Sequence, residues 1–276
     1  TSEGRSGFAQ VTVAPPVHSV TVTLALDTLE AFDTRQLQAV LRDEAGNVLT
    51  GRNVTWTTSD TAVAKVNAAT GVLTGVDRGT VTITASSEGK NGTASRVVVI
   101  RYRSISAGTE HACDIASGGI VWCWGRNGLE GRIGRPQLAE GEHSTVPVRV
   151  PGDQRFTQIA TYGRTTCGIT TTGAAYCWGY SAFGLLGTGS DAQQNSATPV
   201  AVAGGLTFRQ LAAGADHMCG VTTDDRVFCW GANNAGQLGT GNRTSSATPV
   251  RAAAPRTFRR VTAGSFYTCA VATDNS

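Results

Sequence analysis

Cysteine, histidine and aspartate are the residue types in this 276-residue chain whose spacing could do chemistry. The seven cysteines stand at 113, 123, 167, 177, 219, 229 and 269. Three pairs share a spacing of ten residues, and none is a Cys-x-x-Cys pair, so zinc and dithiol redox chemistry fit poorly. In MCGVTTDDRVFCW the two cysteines are equidistant from Asp224 and face each other if the turn is centred there. Opposed residues on antiparallel strands have Cα atoms roughly 4.5–5.5 Å apart, and a disulfide is expected in the wider part of that range. The expected bonds are Cys113–Cys123, Cys167–Cys177 and Cys219–Cys229, with Cys269 unpaired in this chain. Closing each 11-residue loop removes about 2.8 kcal/mol of unfolded-state entropy in the chain-entropy description.

The other chemical groups are weaker candidates. His111 and His217 both lie two residues before the first cysteine of a pair, where Thr165 and Tyr267 stand in the other units. A ligand or catalytic base would not be interchangeable with Tyr, so packing is the expected role. No histidine cluster or carboxylate pair has metal spacing. Asp224, Asp225 and Asp274 belong to turns. The glycine-rich run from Gly236 to Gly241 lacks the Lys-Ser/Thr and the helix of a phosphate loop. No catalytic residue, metal or cofactor is expected.

The elements that must hold these residues form a repeat. Cys113, Cys167, Cys219 and Cys269 follow one another at 54, 52 and 50 residues, each eleven after an aromatic (Tyr102, Phe156, Phe208, Phe258). Cys-Trp-Gly follows three of them, with Trp124, Trp178 and Trp230, and a Pro-Val pair begins at Pro147, Pro199 and Pro249. The three tryptophans, and Trp122, Tyr176 and Phe228 beside them, are expected in the core. Units of about 50 residues, all β, with one loop of variable length, read as propeller blades.

The sharpest unit, CWGANNAGQLGTGNRTSSATPV (229–250), with Trp230, Asn233, Gly239, Gly241 and Pro249-Val250 in place, resembles the regulator-of-chromosome-condensation repeat. The resemblance covers 104–276 and implies a ring of seven blades, of which about three and a half are present. The chain is therefore expected to be a truncated piece. The second unit departs from the motif at Tyr180-Ser-Ala-Phe183 and Leu185-Leu186, and the first reads GRNGLEGRIG, one residue longer. Function is expected where the repeat is broken, so Tyr180, Phe183, Phe266 and Tyr267 are the candidate partner contacts.

Residues 18–101 read differently. HSVTVTLAL, RQLQAVLRD, NVTWTTSD, AVAKVN, GVLTGV, TVTITASS and SRVVVI are seven short strands at roughly ten-residue spacing, a β-sandwich pattern with Trp56 as core anchor. The run from Trp56 to Ser87 is similar to the group-2 bacterial Ig-like domain, which implies a spacer or adhesive module without catalytic residues. The expected organisation is a leader or linker over 1–17, an Ig-like sandwich over 18–101 and propeller repeats over 102–276.

Composition sets outer limits. Net charge is only +3 and charged residues are 16% of the chain, so no basic surface for nucleic acid is implied. No apolar stretch reaches the roughly 18 residues of a membrane span. The chain opens at Thr1 without a signal peptide, as a processed or cut segment would. The expected function is a non-enzymatic binding scaffold on a bacterial surface or secreted from the cell, with an Ig-like stalk and a propeller head for a protein or glycan. Two alternatives follow from the resemblance to the regulator-of-chromosome-condensation repeat: a secreted propeller that inhibits β-lactamases, and guanine-nucleotide exchange. Peptide mapping without reductant, on protein exported to an oxidising compartment, should find the three ten-residue pairs linked and Cys269 free. Seven free thiols would return the chain to a reducing compartment.

Overall fold

The computed structural model describes residues 14–23, 28–135, 143–190 and 194–274. It divides into two compact units, Thr1–Ile100 and Arg101–Ser276. The expected leader lies outside the described residues up to residue 13.

Ten strands build the first unit: β1 (Ser19–Thr23), β2 (Thr28–Glu30), β3 (Thr34–Gln36), β4 (Gln38–Arg42), β5 (Val48–Leu49), β6 (Thr55–Thr58), β7 (Ala64–Val66), β8 (Val72–Gly75), β9 (Gly79–Ser87) and β10 (Lys90–Val99). They form sheets ordered β1-β4-β5, β2-β10-β9-β6 and β3-β8-β7. In β9, Val81, Ile83 and Ala85 are fully buried between more open threonines, the period-2 pattern of a strand with one core face. Trp56 sits opposite Ala85 in the adjoining strand and is 5% exposed. A Cβ on Gly71, which has φ +70°, would stand 2.8 Å from the indole nitrogen of Trp56, so only glycine lets the turn close over the ring.

The apolar runs of the sequence and these strands differ at Leu37 and at the short strands β2 and β5. The run 35–43 breaks at Leu37, which is buried and donates its N–H to Gly71 O at 2.9 Å. Before it β3 pairs with β8, and after it β4 pairs with β1, so one run serves two sheets. β2 and β5, three and two residues long, are too short to show a period. Residues 24–26 of the first run lie outside the described residues.

The second unit is a succession of antiparallel meanders. The first blade is β11 (Tyr102–Ala107), β12 (His111–Ala116), β13 (Ile120–Arg126) and β14 (His143–Arg149). The second is β15 (Phe156–Tyr162), β16 (Thr165–Thr170), β17 (Ala175–Gly179) and β18 (Ser196–Ala201). The third is β19 (Phe208–Ala213), β20 (His217–Thr222), β21 (Val227–Gly231) and β22 (Ser246–Arg251), and β23 (Phe258–Ala263) and β24 (Thr268–Ala272) begin a fourth. The first strands of successive blades pack on one another, which makes an incomplete propeller.

Cys113, Cys167 and Cys219 stand directly opposite Cys123, Cys177 and Cys229 in the hairpin registers. Their sulfurs are bonded, and the Cα atoms are 4.1, 4.0 and 4.0 Å apart. That is the narrow, non-hydrogen-bonded kind of cross-strand site, not the wider kind expected from the sequence. Cys269 is free and exposed. Pro147, Pro199 and Pro249 lie in the fourth strands, where the register against the third strand shifts after the cysteine. A residue with no N–H to donate is tolerated at such an irregular edge.

Blades join through a few repeated contacts. The indole N–H of Trp178 donates to Arg132 O at 3.1 Å, and that of Trp230 to Leu185 O at 3.0 Å, each reaching into the loop of the preceding blade. Both rings are fully buried. Trp124, expected in the core with them, is only half-buried beside the 41%-exposed Tyr102, and no described loop covers it as Arg132 and Leu185 cover the other two. Tyr176 and Phe228 are likewise half-buried. Gln158 clamps the backbone of Leu211, and Gln210 that of Val261, each through paired bonds of 2.9–3.0 Å.

One compensation is internal to the repeat. Five residues before the first cysteine stand Gly108, Gly214 and Gly264, but Tyr162 in the second blade. A Cβ on Gly214 would fall 2.2 Å from the His217 ring, and one on Gly264 2.4 Å from the Tyr267 ring. The second blade has Thr165 in place of the ring and so has room for a side chain at 162. Gly214→Ala should therefore cost about 1–3 kcal/mol. His217→Thr in the same chain should recover the part due to the ring but not the part due to the Gly264 carbonyl, 2.7 Å from the same Cβ, still giving a coupling above about 1 kcal/mol in a double-mutant cycle measured by denaturant unfolding. Strict additivity would refute the steric account.

Candidate functional site

In a four-stranded meander the turn after the first strand and the loop after the third strand emerge at the same end. Here they bond to each other. Arg126, Tyr180 and Ala232 donate their N–H groups to Glu110 O, Arg164 O and Asp216 O at 3.1 Å or less. This end of the unit is the loop face, and the departures from the repeat gather on it.

Buried asparagines shape the loops. Asn233 accepts from Leu238 N at 2.9 Å and donates to Asn242 O and Thr244 O. Asn127 accepts from Ile133 N and donates to Arg135 O. The second blade has Ser181, whose N–H instead donates to Asn195 Oδ1. With the loop frames held from inside, their tips are free to carry different side chains.

Across the first two blades the loop face carries an ion network. The Arg132 side chain, 2% exposed, meets Glu110 at 2.6 Å and Glu130 at 3.4 Å. Arg126 adds a 3.0 Å contact to Glu110, and Arg164 a 3.2 Å contact to Glu130. The Arg164 guanidinium then lies 5.6 Å from the Tyr180 ring centre, within cation–π range. Hydrogen bonds from Arg132 and then Arg126 hold the Glu110 carboxyl below its ordinary range. Burial pushes Glu130 up, but its own backbone N–H and Arg132 outweigh that and leave it lowered.

Apolar groups stand beside these charges. Leu129 and Phe183, each six residues after a Cys-Trp-Gly cysteine, are 71% and 47% exposed, and the third blade has Ala235 where the second has Phe183. Phe183 has φ +55°, an uncommon conformation for an aromatic residue, in the 3-10 turn Ala182–Gly184. Tyr162 reaches from the second blade to the fourth, its hydroxyl 2.8 Å from that of Ser265.

Of the four contacts proposed from sequence, Phe183 is exposed on this face and Tyr180 is half-buried beneath Arg164. Phe266 and Tyr267 are exposed apart from that pair, lining a cavity between the third and fourth blades. Sequence reasoning passed over Leu129, Glu110, Glu130, Arg132 and Arg164. The available signal was Arg132 standing where Gln237 does in the sharpest unit.

His111 and His217 lie between blades, with Nε2 2.9 Å from the hydroxyls of Thr166 and Thr268 in the next blade. Thr268 gives its own proton to Gln237 O, so His217 is the donor to it and carries its proton on Nε2. Burial, and for His111 also Arg132, pushes both imidazoles down to about 4. Among the described residues no three His, Cys, Asp or Glu side chains are grouped to hold a metal. No described helix is long and apolar enough to cross a membrane.

Comparison with known proteins gives the following. Residues 172–221 and 224–271, and in a second family description 102–130, 156–185 and 208–237, match the Regulator of chromosome condensation (RCC1) repeat. Residues 16–98 match the Bacterial Ig-like domain (group 2). The Ultraviolet-B receptor UVR8 of Arabidopsis thaliana is 33% identical over 145 residues, 50% of this chain and 31% of that protein. The probable E3 ubiquitin-protein ligase HERC6 of Homo sapiens is 28% identical over 140 residues, 50% of this chain and 14% of that protein. The chain thus spans less than a third of either relative. Prp20p of Saccharomyces cerevisiae, whose structure was described with its binding to Gsp1p and histones, has a TM-score of 0.57 at 14% identity, over 85% of this chain and 64% of that one. At such identity the likeness is one of fold.

The histidines set an acid limit for the second unit. Their native pKa of about 4 lies below the ordinary 6.5, so between these values the unfolded chain binds protons that the native unit does not. Stability should therefore fall as pH drops from 6.5 toward 4, by on the order of 2 kcal/mol per histidine at pH 5. In denaturant titrations at pH 7 and pH 5, His217→Gln should remove about half of this loss. An unchanged loss would show that these imidazoles stay neutral in the unfolded chain or charge freely in the native one.

Proposed function

We propose, on the premise that this chain belongs to the regulator-of-chromosome-condensation repeat family and carries a group-2 bacterial Ig-like domain ahead of the repeats, that it is a non-catalytic protein-binding module working outside the cytoplasm. The loop face of the first two blades is its contact surface. One observation carries the reading: Leu129 and Phe183 are exposed on two neighbouring loops that are joined by the Arg164–Glu130 pair, and Arg164 caps the half-buried Tyr180. Interfaces favour this composition, with rigid aromatic and arginine anchors among polar groups already paired before the partner arrives.

Related proteins are consistent with protein recognition by this fold. Prp20p is described as binding Gsp1p and histones, and the same yeast protein has been crystallised with Kap60. The extracytoplasmic setting is supported by three disulfides and by the bacterial Ig-like domain. The Ig-like unit would then serve as a spacer that presents the repeats.

A photo-crosslinking side chain at Leu129 or Phe183, in protein exported by a bacterial host, is expected to trap protein partners at least tenfold more than the same group at Thr223. That residue lies in the turn at the opposite end of the third blade. Equal trapping at both ends, or retention on a glycan array with no protein adducts, would overturn the reading.

A further inference from the structure

The chain enters and leaves the first unit at opposite ends of one strand, β10. At the entry, Val17 donates its N–H to Glu88 Oε2 at 2.9 Å. Arg52 donates to Pro15 O at 2.7 Å and pairs with Glu88 at 3.0 Å. Glu88 lies in the turn before β10 with φ +49°, an uncommon conformation for a non-glycine residue. β1 then passes so close to the start of β10 that a Cβ on Gly92 would clash with Val20 O. At the exit, Val97, Val98 and Val99 stand beside Thr28, Leu29 and Glu30 of β2, and Ala31 donates its N–H to Val99 O at 2.8 Å. Between these ends β10 runs for ten residues, roughly 33 Å.

Direction matters here. β2 pairs parallel with β10 and with no other described strand, whereas the other described pairs of this unit are antiparallel. Tension that draws the entering chain one way and the leaving chain the other slides β2 and β10 along each other. The bonds between them must then yield together. A strand pair pulled apart from one end opens one bond at a time. β1, paired over five residues with β4, is likewise drawn along its own length. The unit has no cysteine, so hydrogen bonds and packing carry the whole pull.

We propose that the first unit is a tension-bearing link, and that the β2–β10 pair is the bar that keeps it closed when the chain is pulled. A spacer needs only to span a distance; this unit also keeps its length when its two ends are drawn apart. Resistance of this kind is set by the rate of unfolding rather than by equilibrium stability. A three-residue strand can therefore matter through its direction more than through the area it buries. The inference stands on the first unit alone and does not depend on the contact surface of the second.

The test pulls single 276-residue chains through handles at two pairs of positions. Handles at 14 and 101 draw entry and exit apart, and opening of the unit releases roughly 300 Å of chain. Positions 78 and 101 stand at one end of the β9–β10 pair, since Val98 faces Gly79, so handles there peel the two strands. At equal loading rate the first geometry is expected to need at least twice the opening force of the second. Ala31→Pro removes the donor to Val99 O and suits its place, the second position of a turn closed from Asp33 N to Glu30 O with Phe32 at φ +69°. It is expected to lower the opening force by at least a third at 14 and 101 and to leave that at 78 and 101 unchanged. Equal forces in the two geometries, or an equal fall in both with Ala31→Pro, would overturn the inference. Should that variant not fold, the two geometries of the unaltered chain decide alone.

Discussion

The second and third blades of this protein are each held to the one before by an indole placed under a loop carbonyl. Trp178 and Trp230 are fully buried, and a buried indole N–H without an acceptor carries a desolvation cost of about 1–3 kcal/mol. The carbonyls of Arg132 and Leu185 remove that cost, but only if the preceding loop has the right path. Loop shape and blade stacking are therefore a single constraint. Removing roughly 150–250 Å² of indole from water is worth at most about 4–6 kcal/mol per ring. The asparagines at 127 and 233 help set that path from inside the loop.

The constraint separates what may vary from what may not. Positions that face inward are either repeated or exchanged in compensating sets, as with the glycine and ring of the first, third and fourth blades and the Tyr162 and Thr165 of the second. The bond from His to Thr also comes and goes as a pair. It is present from the first blade to the second and from the third to the fourth, and both members are replaced between the second and third, by Thr165 and Met218. Loop tips carry no such obligation. Leu129 in the longer first loop, Phe183 in the second and Ala235 in the third differ in size and shape, and so specificity can be written at the loop tips without loss of the frame.

The two units solve the stability problem by different chemistry. The Ig-like unit has no cysteine and relies on alternating β strands around Trp56, which only a glycine at 71 allows to be covered. Each of the first three blades has a hairpin whose first strand is buried on both faces. A covalent link across that hairpin lowers the entropy of the unfolded chain. Redox conditions thus bear on the second unit alone.

Much of this was legible in the sequence because a repeat reports its own constraints. Constant cysteine spacing about a turn gave the hairpin registers, since directly opposed residues must be symmetric about the turn that joins them. The Ig-like unit was legible by its alternation, except where Leu37 divides one run between two sheets and where β2 and β5 are too short to show a period. Tertiary structure alone decided the rest. The carbonyl that each tryptophan meets lies some 45 residues earlier in the chain, and no local pattern encodes a contact of that range. Burial of Arg132 likewise depends on Glu110 and Glu130 arriving from two different loops, and Trp124 is half-exposed where no described loop covers it. Spacing fixes which residues pair within a hairpin; which faces are covered follows only when the hairpins stack.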